Sequence, residues 1–165
     1  MEGLRPTPDR VRETLFNWLG QDLTGRRCLD LFAGSGALGF EAASRGAAEV
    51  VMVENNRAAF RALQENSGKL ACASMVLHCE DGLGFARRQE NRRYDVVFLD
   101  PPFQSDYPLK VLPLLADKLT EDGVVYVETG DVFKPGTAWR VVKSGRAGKV
   151  FYQLLQQPQE KAEGM

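Results

Sequence analysis

Residues 27–39 read Arg27-Cys28-Leu29-Asp30-Leu31-Phe32-Ala33-Gly34-Ser35-Gly36-Ala37-Leu38-Gly39, and this stretch decides the fold. Cys28, Leu29, Leu31 and Phe32 make the short apolar run of a buried parallel strand, and Gly34, Ser35, Gly36 and Gly39 follow at once. A strand therefore passes through a glycine turn into a helix that starts near Gly36. Glycines let the backbone turn sharply and approach a ligand closely, and a helix start offers free N–H groups to whatever lies in the turn. Taken alone, the glycines fit an ordinary strand-to-helix turn equally well.

Downstream, the same alternation recurs. Leu38 to Arg45 continues as helix and stops at Gly46. Val50–Val53 reads as a second strand closed by Glu54, and Asn56–Leu70 as a helix with Ala59, Phe60 and Leu63 inward. Met75–Leu77 is a third strand, followed by Glu80-Asp81-Gly82 and a helix through about Gln89. Tyr94–Leu99 is a fourth strand that ends in Asp100-Pro101-Pro102-Phe103. A helix over Leu109–Leu119 leads through Glu121-Asp122-Gly123 to a fifth strand, Val124–Glu128. Strict alternation of this kind predicts an α/β fold, a parallel sheet with helices on both faces. Ala138–Val142 and Val150–Gln156 lie too close together for a crossover helix, which predicts an antiparallel C-terminal hairpin and seven strands in all.

Upstream, two prolines restrict Gly3–Asp9, with Thr7 as N-cap and Pro8 at the first helical position. Val11, Leu15, Trp18 and Leu19 recur at helical spacing and place one face on the core, so residues 1–20 form an N-terminal segment and helix. The chain has 165 residues, which fits one domain over 1–157 and a polar tail over 158–165. No apolar run approaches the roughly 20 residues of a membrane span and no signal-peptide pattern opens the chain, so a cytoplasmic protein with no membrane contact is expected. Cys28, Cys72 and Cys79 are odd in number and form no Cys-x-x-Cys pair, so they read as small core residues and no metal site is expected. His78, the only histidine, sits in an apolar run and reads as structural. The net charge of −1 neither demands nor forbids a nucleic-acid partner.

In an open α/β sheet, ligands bind beyond the carboxyl ends of the strands at the topological switch point. Asp30, Glu54, Asp81 and Asp100 stand at or near four such ends, a stronger pattern than any one motif. Glu54 follows Gly36 by 18 residues, the distance at which an acid meets a ribose in dinucleotide folds. Asp81 is placed either to accept from an exocyclic amine or to cap the next helix. In Asp100-Pro101-Pro102-Phe103 the prolines stiffen the backbone, so the Asp100 side chain and the Pro101 carbonyl can grip one NH₂ group while Phe103 offers a stacking face.

The stretch D-L-F-A-G-S-G resembles the first motif of class I S-adenosylmethionine-dependent methyltransferases, V-E-N resembles their ribose-binding acid, and D-P-P-F resembles the motif of those that methylate exocyclic base nitrogens. With the opening R-P-T-P-D-R-V-R-E-T-L-F-N-W-L, the chain from Leu4 to about Leu155 is similar to the bacterial small-subunit ribosomal RNA guanine-N2 methyltransferase family. That resemblance implies a Rossmann-like class I fold and methyl transfer from S-adenosyl-L-methionine to the N2 amine of a guanine in small-subunit ribosomal RNA, free or in a small-subunit particle, by a monomer. It places Gly34, Ser35 and Gly36 along the methionine and sugar, Asp30 at the amino end, Glu54 and Asn55 at the ribose and adenine edge, Asp81 with Gly82 at the adenine, and Thr7 at the methionine carboxylate. Asp100, Pro101, Pro102 and Phe103 form the catalytic motif. Arg5, Arg10 and Arg12 are the RNA contacts expected first, with the Arg87-Arg88 and Arg92-Arg93 pairs, Lys143, Arg146 and Lys149 as further phosphate contacts. Members of the family usually carry a basic, glycine-containing segment before R-P-T, where this chain has Met1, Glu2 and Gly3, so a shortened N-terminus and a smaller RNA-binding surface are expected.

Three rivals stay open on sequence grounds. Gly34-x-Gly36-x-x-Gly39 also satisfies the dinucleotide pattern of an NAD-binding oxidoreductase, although Asp30 and the D-P-P-F motif fit it poorly. A binding protein that keeps the fold without catalysis is another. Adenine-N6 methylation of DNA or RNA is the nearest, because the same grip suits any planar amine.

Overall fold

The computed structural model describes residues 8–69, 74–88, 92–102 and 106–158. Helix α1, Asp9–Trp18, has Pro8 at its N-cap position with φ −57° and ψ 144°. The sequence puts Pro8 inside the first turn and Thr7 at the cap; Pro8 instead keeps an extended ψ and the helix starts one residue later. Thr7 lies outside the described residues. Val11, Leu15 and Phe16 of α1 are fully buried, while Trp18 and Leu19 pack at the margin of the same core. The centre of the face is therefore Phe16, whose ring meets Phe98 at 6.0 Å, and Trp18 stacks on Tyr152 at 5.2 Å.

The chain continues through β1 (Arg27–Asp30), α2 (Ala37–Ser44), β2 (Glu49–Val53), α3 (Arg57–Lys69) and β3 (Ser74–His78). It then runs through α4 (Gly82–Arg87), β4 (Tyr94–Leu99), α5 (Tyr107–Leu115), β5 (Leu119–Thr129), β6 (Arg140–Ala147) and β7 (Val150–Gln156). The seven strands form one sheet in the order β3-β2-β1-β4-β5-β7-β6, parallel as far as β5 and antiparallel at β7 and β6. Consecutive strands β1, β2 and β3 step outward in one direction, and β4 then returns to the other side of β1. The switch point thus lies between the carboxyl ends of β1 and β4.

Helices α1, α2 and α3 cover one face, over a core that includes Phe16, Leu38, Leu63, Met52 and Phe98. Helices α4 and α5 cover the other, over Leu29, Val51, Phe85, Val97 and Leu112. Both faces of the central strands are buried, which is why those strands read as continuous apolar runs.

Several details depart from the sequence reading. Strand β6 runs Arg140–Ala147 rather than Ala138–Val142, so pairing with β7 draws most of the expected Lys143–Lys149 linker into the sheet, and Phe60 is half-buried while Ala59 and Leu63 are buried. Strand β1 ends at Asp30, and Leu31 and Phe32 already belong to the turn, although the Leu31 N–H still reaches the Phe98 carbonyl at 3.2 Å. Helix α5 starts and ends earlier than expected and passes through a 3₁₀ turn, Ala116–Lys118, after Pro113 has removed one donor from its interior. Glu121-Asp122-Gly123 is not a separate loop but part of a long β5, accommodated by a register irregularity opposite Tyr94/Val96. Cys28 is buried as expected, Cys79 is exposed just after β3, and Cys72 lies outside the described residues. Burial pushes the Cys28 thiol up to about 12, so it is a packing residue.

Candidate active site

The turn after β1 is built by two left-handed glycines. Gly34 has φ 56° and Gly36 has φ 85°, and a Cβ on Gly36 would stand 2.4 Å from the Phe40 ring and 2.6 Å from Leu63. Only glycine satisfies both the backbone and the space there. The turn is fixed to β2 by Glu54, which is buried. Its Oε1 accepts the Gly34 N–H at 2.7 Å and its Oε2 accepts the Asn56 N–H at 2.9 Å. Each carboxylate oxygen keeps further lone-pair capacity after one such bond. Asn55 beside it is exposed, and Asn56 caps α3 by accepting the Ala59 N–H at 2.9 Å.

Asp30 is 2% exposed at the end of β1. Burial raises its carboxyl to about 7, against the backbone N–H groups of Gly39 and Phe32, which favour the charged form; the Glu54 charge adds to the rise. Its Oδ1 has no hydrogen-bond partner. A buried acceptor without a donor is costly and is found where a ligand or proton supplies the missing bond. The donor set fits a molecule that presents an amino group and hydroxyls, since the rim offers carboxylate acceptors.

Asp81 performs the capping role: it is the N-cap of α4 and accepts the Gly84 N–H at 3.2 Å. Gly82 next to it has a packing reason of its own. A Cβ there would lie 2.5 Å from the Leu31 carbonyl and 2.9 Å from the Phe32 ring, so α4 can approach the β1 turn only through glycine. Ser35 is exposed in the turn.

Asp100 follows β4 directly and is half-buried, Pro101 is buried, and Pro102 is exposed. Phe103 lies outside the described residues. The register pairs Asp30 with Phe98, so Asp100 stands two residues further along the neighbouring strand. Phe32 stacks on Tyr107, the first residue of α5, with ring centroids 5.3 Å apart, and this pair joins the β1 turn to the far end of the Asp100 loop.

Sequence reasoning missed the group beside Asp100. Glu128 on β5 is fully buried, and the Tyr126 hydroxyl donates to its Oε1 at 2.6 Å. Burial first, then the Glu128 charge and the bond to it, and then the Asp100 charge hold the Tyr126 phenol well above its ordinary range. The only sequence signal was an acid at the end of a fifth strand, and it continued the pattern of the other four.

The basic candidates are not gathered into one patch. Arg12 pairs with Asp9 at 2.9 Å and approaches Glu41 at 3.9 Å, while Arg10 is exposed and Arg5 lies outside the described residues. Arg88 pairs with Glu80 and Arg92 with Glu49. Lys143, Arg146 and Lys149 lie on the far edge, on and after β6. His78 faces Glu80 at 3.6 Å and the Phe85 ring, away from any cluster of metal-binding side chains among the described residues.

The family profile described as Conserved hypothetical protein 95 matches residues 1–156. Ribosomal RNA small subunit methyltransferase D of Haemophilus influenzae is 41% identical over 163 residues, covering 94% of this chain and 84% of that one. The chain belongs to this methyltransferase family. The solved structure of the Escherichia coli protein yhhF is 38% identical, with a TM-score of 0.86 over 96% of this chain and 90% of that one. An RNA methyltransferase from Salinibacter ruber, solved in complex with S-adenosyl-L-homocysteine, has a TM-score of 0.75 at 20% identity over 96% of this chain and 97% of that one, a likeness of fold alone. The fold is thus the Rossmann-like class I methyltransferase fold that the resemblance implies, and the chain is a methyltransferase. No helix among the described residues is long and apolar enough to cross a membrane.

Proposed function

We propose that this methyltransferase uses S-adenosyl-L-methionine to methylate the exocyclic N2 amine of a guanine in small-subunit ribosomal RNA. Residues 1–157 act as one catalytic unit, as a monomer in the cytoplasm, on RNA alone or in a small-subunit particle. The observation that carries the reading is the adjacency, at the switch point, of a buried Asp30 with an unpartnered oxygen and the stiff Asp100-Pro101-Pro102 loop. When bound, the donor supplies a sulfonium methyl that is already activated.

The chain's own residues bind and align. Asp30 presents its free acceptor to the amino group, and Glu54, pinned by two backbone amides, turns its remaining lone pairs to the ribose hydroxyls. Gly34, Ser35 and Gly36 allow close approach, Asp81 and Gly82 border the adenine with Asn55, and Thr7 holds the carboxylate. A guanine amine is a weak nucleophile because its lone pair is delocalised into the ring. Hydrogen bonds from that NH₂ to Asp100 and to the Pro101 carbonyl favour a more tetrahedral nitrogen, stabilise the charge it gains, and leave Asp100 placed to receive its proton. Phe103 and Pro102 wall the base, which must be unpaired or flipped to enter. Arg5, Arg10 and Arg12 contact the RNA backbone.

The test is transfer of labelled methyl from S-adenosylmethionine to small-subunit ribosomal RNA and to small-subunit particles, followed by nucleoside analysis. N2-methylguanosine is the expected product. Label in N6-methyladenosine would replace the guanine reading with the adenine one, and label in no nucleoside would remove the RNA reading.

A further inference from the structure

A second concavity lies at the same rim, two strands from the Asp100 loop, and the reading above gives it no role. It has a volume of about 330 Å³ and is lined by Val132, Phe133, Ser144, Arg146, Phe151 and Gln153, with Gly145 also bordering it. The register places it. Leu99 pairs with Val127, Val127 with Gln153, and Gln153 with Ser144, so these four form one row across the sheet. Phe151 and Arg146 pair with each other two residues nearer the rim that carries Asp100. Two strand spacings separate Gln153 from β4, about 10 Å.

Its walls combine three chemistries. Phe151 and Phe133 are half-buried aromatic surfaces, and Val132 is a 67% exposed apolar side chain beside them. The Arg146 guanidinium lies 5.2 Å from the centre of the Phe151 ring and is held by a bond from its Nε to the Gly148 carbonyl at 2.8 Å. Gln153 donates to the Phe133 carbonyl at 3.1 Å while its Oε1 has no partner. The loop is preformed, because Thr129 bonds the Asp131 carbonyl and Asp131 takes the Val132 N–H, each at 2.7 Å. Basic groups outnumber acids beside the pocket: Arg146 lines it and Lys134 and Lys149 lie next to its lining segments in sequence, against the Asp131 carboxylate next to Val132. Lys134 follows the lining residue Phe133, Lys149 comes two residues before the lining residue Phe151, and both are exposed.

We propose that this pocket takes an unpaired nucleotide of the RNA substrate close to the methylated base, a subsite that rests on the RNA-methylation reading. Aromatic faces beside a fixed guanidinium and an amide form a stacking platform for a base, and Lys134, Arg146 and Lys149 meet the phosphates on either side. A platform this near the Asp100 loop grips the strand next to a base that has left its stack, so that the target's neighbour is bound while the target is turned into the site. Single-stranded RNA is thereby favoured over a duplex, whose bases are not free to stack on protein.

The experiment compares the full-length protein with Arg146→Glu, which alters an exposed side chain, and with Arg26→Glu, the same charge change before β1 at the opposite rim. The probes are a single-stranded small-subunit rRNA segment, the same segment as a duplex, and polyglutamate. Arg146→Glu is expected to weaken single-strand binding about tenfold, to flatten the slope of log K against log salt by about 0.7, and to raise KM for RNA while donor affinity and kcat stay unchanged. Arg26→Glu is expected to bind as the unaltered protein does. Equal RNA affinity in Arg146→Glu and the unaltered protein, with methylation intact, would overturn the subsite alone. Tighter binding of the duplex or of polyglutamate would also overturn it. An unaltered protein that neither binds nor methylates RNA would overturn the subsite and the proposed function together.

Discussion

The Tyr126 hydroxyl donates to Glu128 Oε1 at 2.6 Å with both side chains closed off from solvent, one strand away from Asp100. A buried carboxylate that accepts from a phenol loses a charge-assisted bond when the donor goes. Tyr126→Phe is therefore expected to cost about 1.5–3 kcal/mol of stability. Arg140→Ala, which removes the exposed bond to Gln156, is expected to cost less than about 1 kcal/mol. Urea denaturation of the two variants against the unaltered protein measures the difference; equal midpoints would show that the buried bond contributes nothing special.

Asp30 should make stability depend on pH. Folding raises its carboxyl from 3.8 to about 7, so between those values the native state holds a proton that the unfolded chain has released. This contribution is complete below about pH 4 and is lost as the pH rises through 7. Asp30→Asn removes the titration. The stability of the variant relative to the unaltered protein is expected to grow from near zero at pH 4 to on the order of 4 kcal/mol near pH 7, and to change no further at pH 8. A difference that stays constant from pH 4 to 8 would contradict the shift.

Two carboxylates at the rim should separate in kinetics. Asp100→Ala is expected to keep donor affinity within about twofold and to lower kcat by roughly 10²–10³-fold, the size of a lost transition-state contact. Glu54→Ala frees the Gly34 and Asn56 amides together, so donor binding weakens first and melting temperature falls with it. Calorimetric titration with S-adenosylmethionine beside single-turnover methylation separates the two. An Asp100→Ala protein with full turnover would remove that residue from the chemistry.

Glycines 68 and 82 should respond in opposite directions. Gly68 lies on α3 with open space around it, and Gly68→Ala is expected to stabilise by about 0.5–1 kcal/mol. A methyl at Gly82 meets the Leu31 carbonyl at 2.5 Å, so Gly82→Ala should destabilise by about 1–3 kcal/mol. Thermal melts of both variants decide the matter. A neutral Gly82→Ala would mean that α4 can move away from the β1 turn without loss.

Much of this arrangement could be read from the chain, and the physical reasons are specific. Cys28, Leu29, Val96 and Val97 announce buried parallel strands because both their faces are covered, and Gly34 and Gly36 announce a turn that other residues cannot make. Glu54 was found by its distance from Gly36, but its bonds to Gly34 and Asn56 are tertiary and left no local mark. Phe16 was missed on α1 because helical spacing favours Trp18 and Leu19 as well, and only the position of Phe98 selects among them. Glu121-Asp122-Gly123 reads as a turn by composition, yet pairing with β4 draws it into β5. Glu128 reads in the sequence only as a strand end, because burial of a carboxylate depends on Tyr126, Tyr152 and the Asp100 strand together.

The placing of β7 between β5 and β6 governs the order in which this protein can be completed during synthesis. β5 is made more than 20 residues before β7, yet its free edge pairs only with β7. Until residues 150–156 have emerged, the nascent sheet ends in an unsatisfied β5 backbone, and the two cores lack Tyr152, Leu154 and Leu155. Such an edge is a template for pairing with another chain. Release before β7 therefore leaves a polypeptide with most of the described helices and strands made and an adhesive border exposed, and β7 is the strand that closes that border.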